Sequence, residues 1–181
     1  FRDAVEKKYE NVRAIICPHA GYIFSGKVAA SGFQQIDENA QYKLVFILAS
    51  SHHFHFDGAS VYCDGDYLMP YGPVTVDTEV GKSLVERHPG LFSDDPMPHL
   101  KEHAIEVQLP FLHHRLKKNY AIVPIILGTS NPETCRRLAQ ALKPFLNKDN
   151  LFVVSTDFSH YPDYNSATMV DAATAQAILK N

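Results

Sequence analysis

Lys43–His53 reads KLVFILASSHH. An unbroken apolar, β-branched run gives way abruptly to two serines and two histidines. A strand that is apolar on both faces belongs inside a sheet covered on both sides, and such sheets are mostly parallel. Two further segments repeat the pattern. Val12–Cys17 is an apolar run ending at Pro18-His19-Ala20-Gly21, and Leu151–Ser155 (LFVVS) ends at Thr156-Asp157-Phe158-Ser159-His160. Ligands of wound α/β sheets bind beyond the carboxyl ends of the strands. If the three strands run parallel, His19, His52/His53 and Asp157/His160 gather at one edge from far apart in the chain.

The intervening segments support that layout. Helices are expected over Ser25–Ile36 with Ser25 as N-cap, over Asp77–Arg87 capped by Asp77, and over Asn131–Leu146 with Asn131 at the N-cap and Pro132 at N1. A last helix runs from Tyr164 to Asn181, and Glu102–Leu116 has helical apolar spacing interrupted by Pro110. Ala59–Cys63 reads as a short strand, Tyr67–Pro73 as a turn-rich stretch, and His88–Pro98 as a loop. Tyr120–Leu127 (YAIVPIIL) is a strand whose Pro124 suggests an edge or a bulge. Strands alternating with helices predict an α/β fold with a largely parallel or mixed central sheet and helices on both faces. No linker or repeat divides the chain, so residues 1–181 read as one α/β domain.

Composition excludes several classes. The 181 residues are 45% hydrophobic and 20% charged, with a net charge of −3. That balance offers no electrostatic footprint for nucleic acid or an anionic membrane, and no apolar run approaches a membrane span of ~20 residues. No signal peptide is visible, and Cys17, Cys63 and Cys135 are too scattered for a disulfide scaffold or zinc motif. The expected compartment is the cytoplasm. The chain starts at Phe1, and its last helical pattern runs straight to Asn181, so it reads as a piece of a longer protein.

Three clusters carry candidate chemistry. In Pro18-His19-Ala20-Gly21, Pro18 stiffens the corner and Gly21 permits a tight turn, which suits an imidazole aimed at a metal; the plain alternative is a histidine bonding its own turn. In Ser51-His52-His53, adjacent side chains diverge, so one of the pair can be a ligand while the other is solvated. Asp157 stands three residues before His160 and can orient it as an acid/base group, or else cap the following turn. A fourth segment places Glu102, His103, Glu106 and Gln108 at helical spacing, where a solvated face is the plain reading. His88, His99, His113 and His114 have no comparable setting and read as surface residues. Histidine nitrogens beside an open position suit iron, copper or zinc, and affinity should fall as pH drops through ~6.5.

At these residues the chain resembles the Memo family, known in prokaryotes as AmmeMemoRadiSam system protein B. The resemblance rests on Pro18-His19-Ala20-Gly21-Tyr22, Ser51-His52-His53, Glu102-His103-Ala104-Ile105-Glu106 with Leu109-Pro110, Val123–Gly128 and Leu151–His160, in that order. That family is similar in fold to the class III extradiol (LigB-like) dioxygenases. The resemblance implies His19 and His52 as ligands of a mononuclear metal, iron foremost, with copper or zinc as alternatives. It implies Asp157, His160 and His103 as catalytic pocket residues, His160 as the acid/base group, and a third ligand beyond Asn181. It also implies that the chain lacks an N-terminal stretch of the family. The expected activity is redox chemistry of dioxygenase type on a small molecule or peptide; hydrolysis on zinc is a further option. A non-catalytic partner-binding or signalling role on the same fold is the alternative. Radical-SAM and AMMECR1-like proteins are the implied partners.

Overall fold

A computed structural model describes residues 1–117 and 119–180. Its core is a six-stranded sheet in the order β1-β8-β2-β7-β3-β6. These strands are β1 (Ala14–Cys17), β2 (Leu44–Ser50), β3 (Ala59–Val61), β6 (Phe92–Ser93), β7 (Ala121–Leu127) and β8 (Asn150–Ser155). β1, β8, β2 and β7 run parallel, whereas β3 is antiparallel to β7 and carries β6 with it. The mixed sheet therefore keeps a parallel centre, and β1, β2 and β8 all point their carboxyl ends the same way.

Alternation along the strands builds two cores. Ile15, Cys17, Val45, Ile47, Leu151 and Val153 face α1 (Tyr22–Gln34) and α3 (Leu109–Arg115). Phe46, Val123, Ile125 and Phe152 face α2 (Thr78–Arg87) and α4 (Pro132–Leu142). Helices thus cover both faces, as expected. Gly32 sets the distance of α1 from β1: a Cβ there would lie 2.5 Å from Cys17 Sγ. Asp77 caps α2 by accepting from Val80 N–H, and the Asn131 side chain accepts from Glu133 and Thr134 N–H above Pro132.

Several expectations are corrected. α1 begins at Tyr22 with Gly21 as N-cap, and Ser25 lies inside the first turn, its hydroxyl donating to Ala20 O. Gly21 has φ −48, which any residue adopts, so its glycine freedom is not used. Pro124 sits in an interior strand between β2 and β3 rather than at an edge. The carbonyl of Pro124 accepts from Tyr62 N–H. A residue's N–H and C=O point to the same side of a strand, so the missing donor faces the side where β3 has already ended at Val61. The turn-rich stretch forms a small hairpin of β4 (Tyr67–Met69) and β5 (Gly72–Val74).

The helix expected over Glu102–Leu116 does not form as one piece. Glu102 and His103 are irregular, Ala104 and Ile105 lie in a turn, Glu106–Gln108 form a 3₁₀ turn, and only Leu109–Arg115 is α-helical, with Pro110 in its first turn. Proline has no N–H for an interior hydrogen bond and its ring clashes with the carbonyl four residues back, so the helix starts at it instead of passing through. α4 stops at Leu142, before a 3₁₀ turn over Lys143–Phe145. The last helix, α5, covers Tyr164–Lys180; Asn181 lies outside the described residues. No described helix is long and apolar enough to cross a membrane.

Candidate metal centre

The strand-end convergence expected from the sequence is present. His19 follows β1, His52 follows β2 and His160 follows β8. The rings of His19 and His52 lie edge to face with centroids 5.1 Å apart, and His160 stands 5.5 Å from His52. One nitrogen from each of the three rings lies within 4.8 Å of the others, and this is the metal-competent group among the described residues. His53 and His55 point to solvent.

The three imidazoles are held differently. His19 is buried, at 3% exposure, and its Nδ1 is 2.9 Å from Ser155 Oγ. Its Nε2 is buried with no hydrogen-bond partner, which is costly for a polar atom unless something binds there. Burial pushes the His19 pKa below the ordinary imidazole value, against the pull of Asp157. The ring is therefore neutral at neutral pH, the form a metal requires.

His52 is oriented by Glu102. One carboxylate oxygen accepts from both the backbone N–H and the Nδ1 of His52, at 2.9 and 2.8 Å. The other accepts from Ala104 N–H at 3.0 Å. Burial would raise the Glu102 pKa; the hydrogen bonds from His52 and Ala104 outweigh it and hold the carboxyl below its usual range. A carboxylate accepting from Nδ1 leaves Nε2 of His52 as the lone-pair nitrogen. Glu102 is the functional residue that the sequence reading assigned to a solvated helix face. The irregular segment before α3 buries it instead, and the apolar Ala104 and Ile105 just after it were the local signal of that burial.

Asp157 does not orient His160. Its Oδ1 accepts from the backbone N–H groups of His19 and Ala20, at 2.6 and 3.1 Å, so it fixes the His19 corner. His160 Nδ1 instead pairs with Phe158 O at 3.1 Å. The His160 loop is unusual in backbone: Phe158 and Tyr161 both have φ near +60° (62° and 59°), a region non-glycine residues seldom occupy. Such strain concentrates at functional loops, and this one is tied to α5 by Ser159 N–H donating to Asp171. His103 lies 6.0 Å from His19 and 6.3 Å from His52, ring to ring, but it is half exposed and outside the three-nitrogen group. His99, expected at the surface, is buried against Ser60. A cavity of about 510 Å³ opens between the ends of β2, β7 and β8 and α5, lined by Ser155, Thr156, Phe158 and Ser159 but by neither Asp157 nor any of the histidines.

Three grouped imidazoles, one of them with a buried nitrogen that has no hydrogen-bond partner, fit a first-row divalent metal as a donor set. The comparisons with known proteins converge on one family. The model for Memo-like protein matches residues 1–181. A MEMO1 family protein of Methanopyrus kandleri is 33% identical over 167 residues, covering 91% of this chain and 59% of that protein. One of Methanococcus maripaludis is 34% identical over 96% of this chain and 63% of its own length. One of Thermotoga neapolitana is 34% identical over 97% of this chain and 64% of its own length. The chain thus spans roughly three-fifths of the length of the relatives it matches.

Proposed function

This chain belongs to the Memo-like protein family, and from that premise we propose that it binds one metal ion through His19 and His52, iron foremost, and supports redox chemistry of dioxygenase type. The observation that carries the reading is the buried, unpartnered Nε2 of His19, on a ring grouped with two further imidazoles. Iron or copper bound there would supply one-electron chemistry and open positions for O₂ and a substrate. The protein's own work is orientation and proton handling. Glu102 and Ser155 aim the two ligand rings, and Asp157 clamps the backbone of His19. His160 is exposed and held through Nδ1 by a carbonyl, which leaves Nε2 free to take or give a proton at the mouth of the site.

Elemental analysis of protein purified without oxygen tests the reading. Metal should be present near one equivalent, lost in His19→Ala and in His52→Ala, and kept in His160→Ala with turnover lowered. Metal retained in both ligand variants refutes the site. Loss of metal in His160→Ala would make that histidine a third ligand and end its acid/base assignment.

A further inference from the structure

We infer that Ser155, itself held by Gln108, sets the tautomer of His19: the proton sits on Nδ1 and Nε2 keeps its lone pair. Ser155 is the last residue of β8 and is buried. Its hydroxyl touches three groups: Ala104 O at 2.7 Å, Gln108 Nε2 at 2.8 Å and His19 Nδ1 at 2.9 Å. A hydroxyl has one proton to give and two lone pairs to receive with.

Each partner's role follows by elimination. The Ala104 carbonyl can only accept, and two oxygens 2.7 Å apart need a proton between them, so the Ser155 proton goes there. Gln108 is fully buried, and its Nε2 also lies 3.0 Å from Pro18 O, another group that can only accept. The amide is thereby oriented with its NH₂ toward both, and it donates to Ser155. The hydroxyl has no second proton, so His19 Nδ1 must be the donor. The reverse tautomer would set two lone pairs against each other at 2.9 Å inside the protein.

The competing acceptor is too far away. Asp157 Oδ2 lies 3.6 Å from His19 Nε2, beyond hydrogen-bond distance, while Oδ1 is engaged by two backbone N–H groups. A free histidine side chain samples both tautomers; here a neutral hydroxyl selects for His19 the form that the Glu102 carboxylate selects for His52. Ser155 and Gln108 are therefore positioning residues. The tautomer follows from the hydrogen bonds alone, whereas its consequence for affinity rests on the metal reading of the previous subsection.

Long-range ¹H–¹⁵N correlation spectra of metal-free, ¹⁵N-histidine-labelled protein at pH 8 read the tautomer directly, with His19 assigned by its loss in His19→Gln. The native spectrum should show His19 as the Nδ1–H form. Ser155→Ala should move it to a mixture or to the Nε2–H form, and should lower Zn²⁺ affinity 10–100-fold, the usual range for loss of a partner behind a ligand. Gln108→Met, which removes one donor to the hydroxyl, should give a smaller shift in the same direction. An Nε2–H form in the native protein, or a tautomer unchanged in Ser155→Ala, overturns the inference. If Ser155→Ala does not fold, the native spectrum and Gln108→Met still decide. A native Nδ1–H form with no metal binding would sink the metal reading and leave this inference standing.

Discussion

Replacing Glu102 by glutamine tests whether the carboxylate behind His52 matters as charge or only as shape. The native carboxylate, 1% exposed, receives three N–H groups: two from His52 on one oxygen and one from Ala104 on the other. Glutamine offers only one acceptor oxygen. If that oxygen faces His52, the new NH₂ meets Ala104 N–H donor to donor; turned over, it confronts both His52 donors. One buried N–H or more loses its acceptor either way, at a cost of about 1–3 kcal/mol in stability. The negative charge that strengthens His52 as a donor is also gone. Loss of such an orienting carboxylate lowers metal affinity 10–100-fold, or about 1.4–2.7 kcal/mol of binding free energy. Urea unfolding of metal-free protein measures the first effect, and calorimetric titration with Zn²⁺ the second. A Glu102→Gln protein that stays folded and binds Zn²⁺ within twofold of the parent would refute the assigned role.

Other outcomes follow from separate features. Asp157→Ala should leave the His19 and Ala20 N–H groups without their acceptor and reduce metal affinity, while Asp157→Asn, which keeps an amide oxygen, should retain most of it; paired titrations check this. Gly32→Ala should destabilise by about 1–3 kcal/mol through overpacking, because its Cβ would lie 2.5 Å from Cys17 Sγ. Adding Cys17→Ala should recover most of that loss in thermal unfolding. Burial pushes His99 down to about 4 from 6.5, so the unfolded chain takes up its proton before the folded one does. Stability should therefore be intact above pH ~6.5 and fall as pH drops toward about 4, by about 3 kcal/mol. Unfolding curves across that range should flatten in His99→Gln if His99 is the group responsible.

The alternation of apolar strands with helices, and the placement of histidines just past three strand ends, are written locally in the chain. Ala14–Cys17, Leu44–Ser50 and Asn150–Ser155 are strands because unbroken apolar, β-branched runs can be satisfied only inside a sheet. His19, His52 and His160 converge because parallel strands end on one edge. Local periodicity misread Glu102, since a helical spacing of charges looks the same whether or not Pro110 lets the helix form. It also misplaced Pro124, because whether its missing donor matters depends on where the neighbouring strand stops. Which group stands behind each imidazole was settled only in three dimensions. Glu102 reaches His52 across 50 residues, Ser155 reaches His19 across 136, and Asp157 clamps His19 from the segment that follows β8. Hydrogen-bond partners are chosen by packing between elements distant in the chain, and neither composition nor spacing encodes that choice.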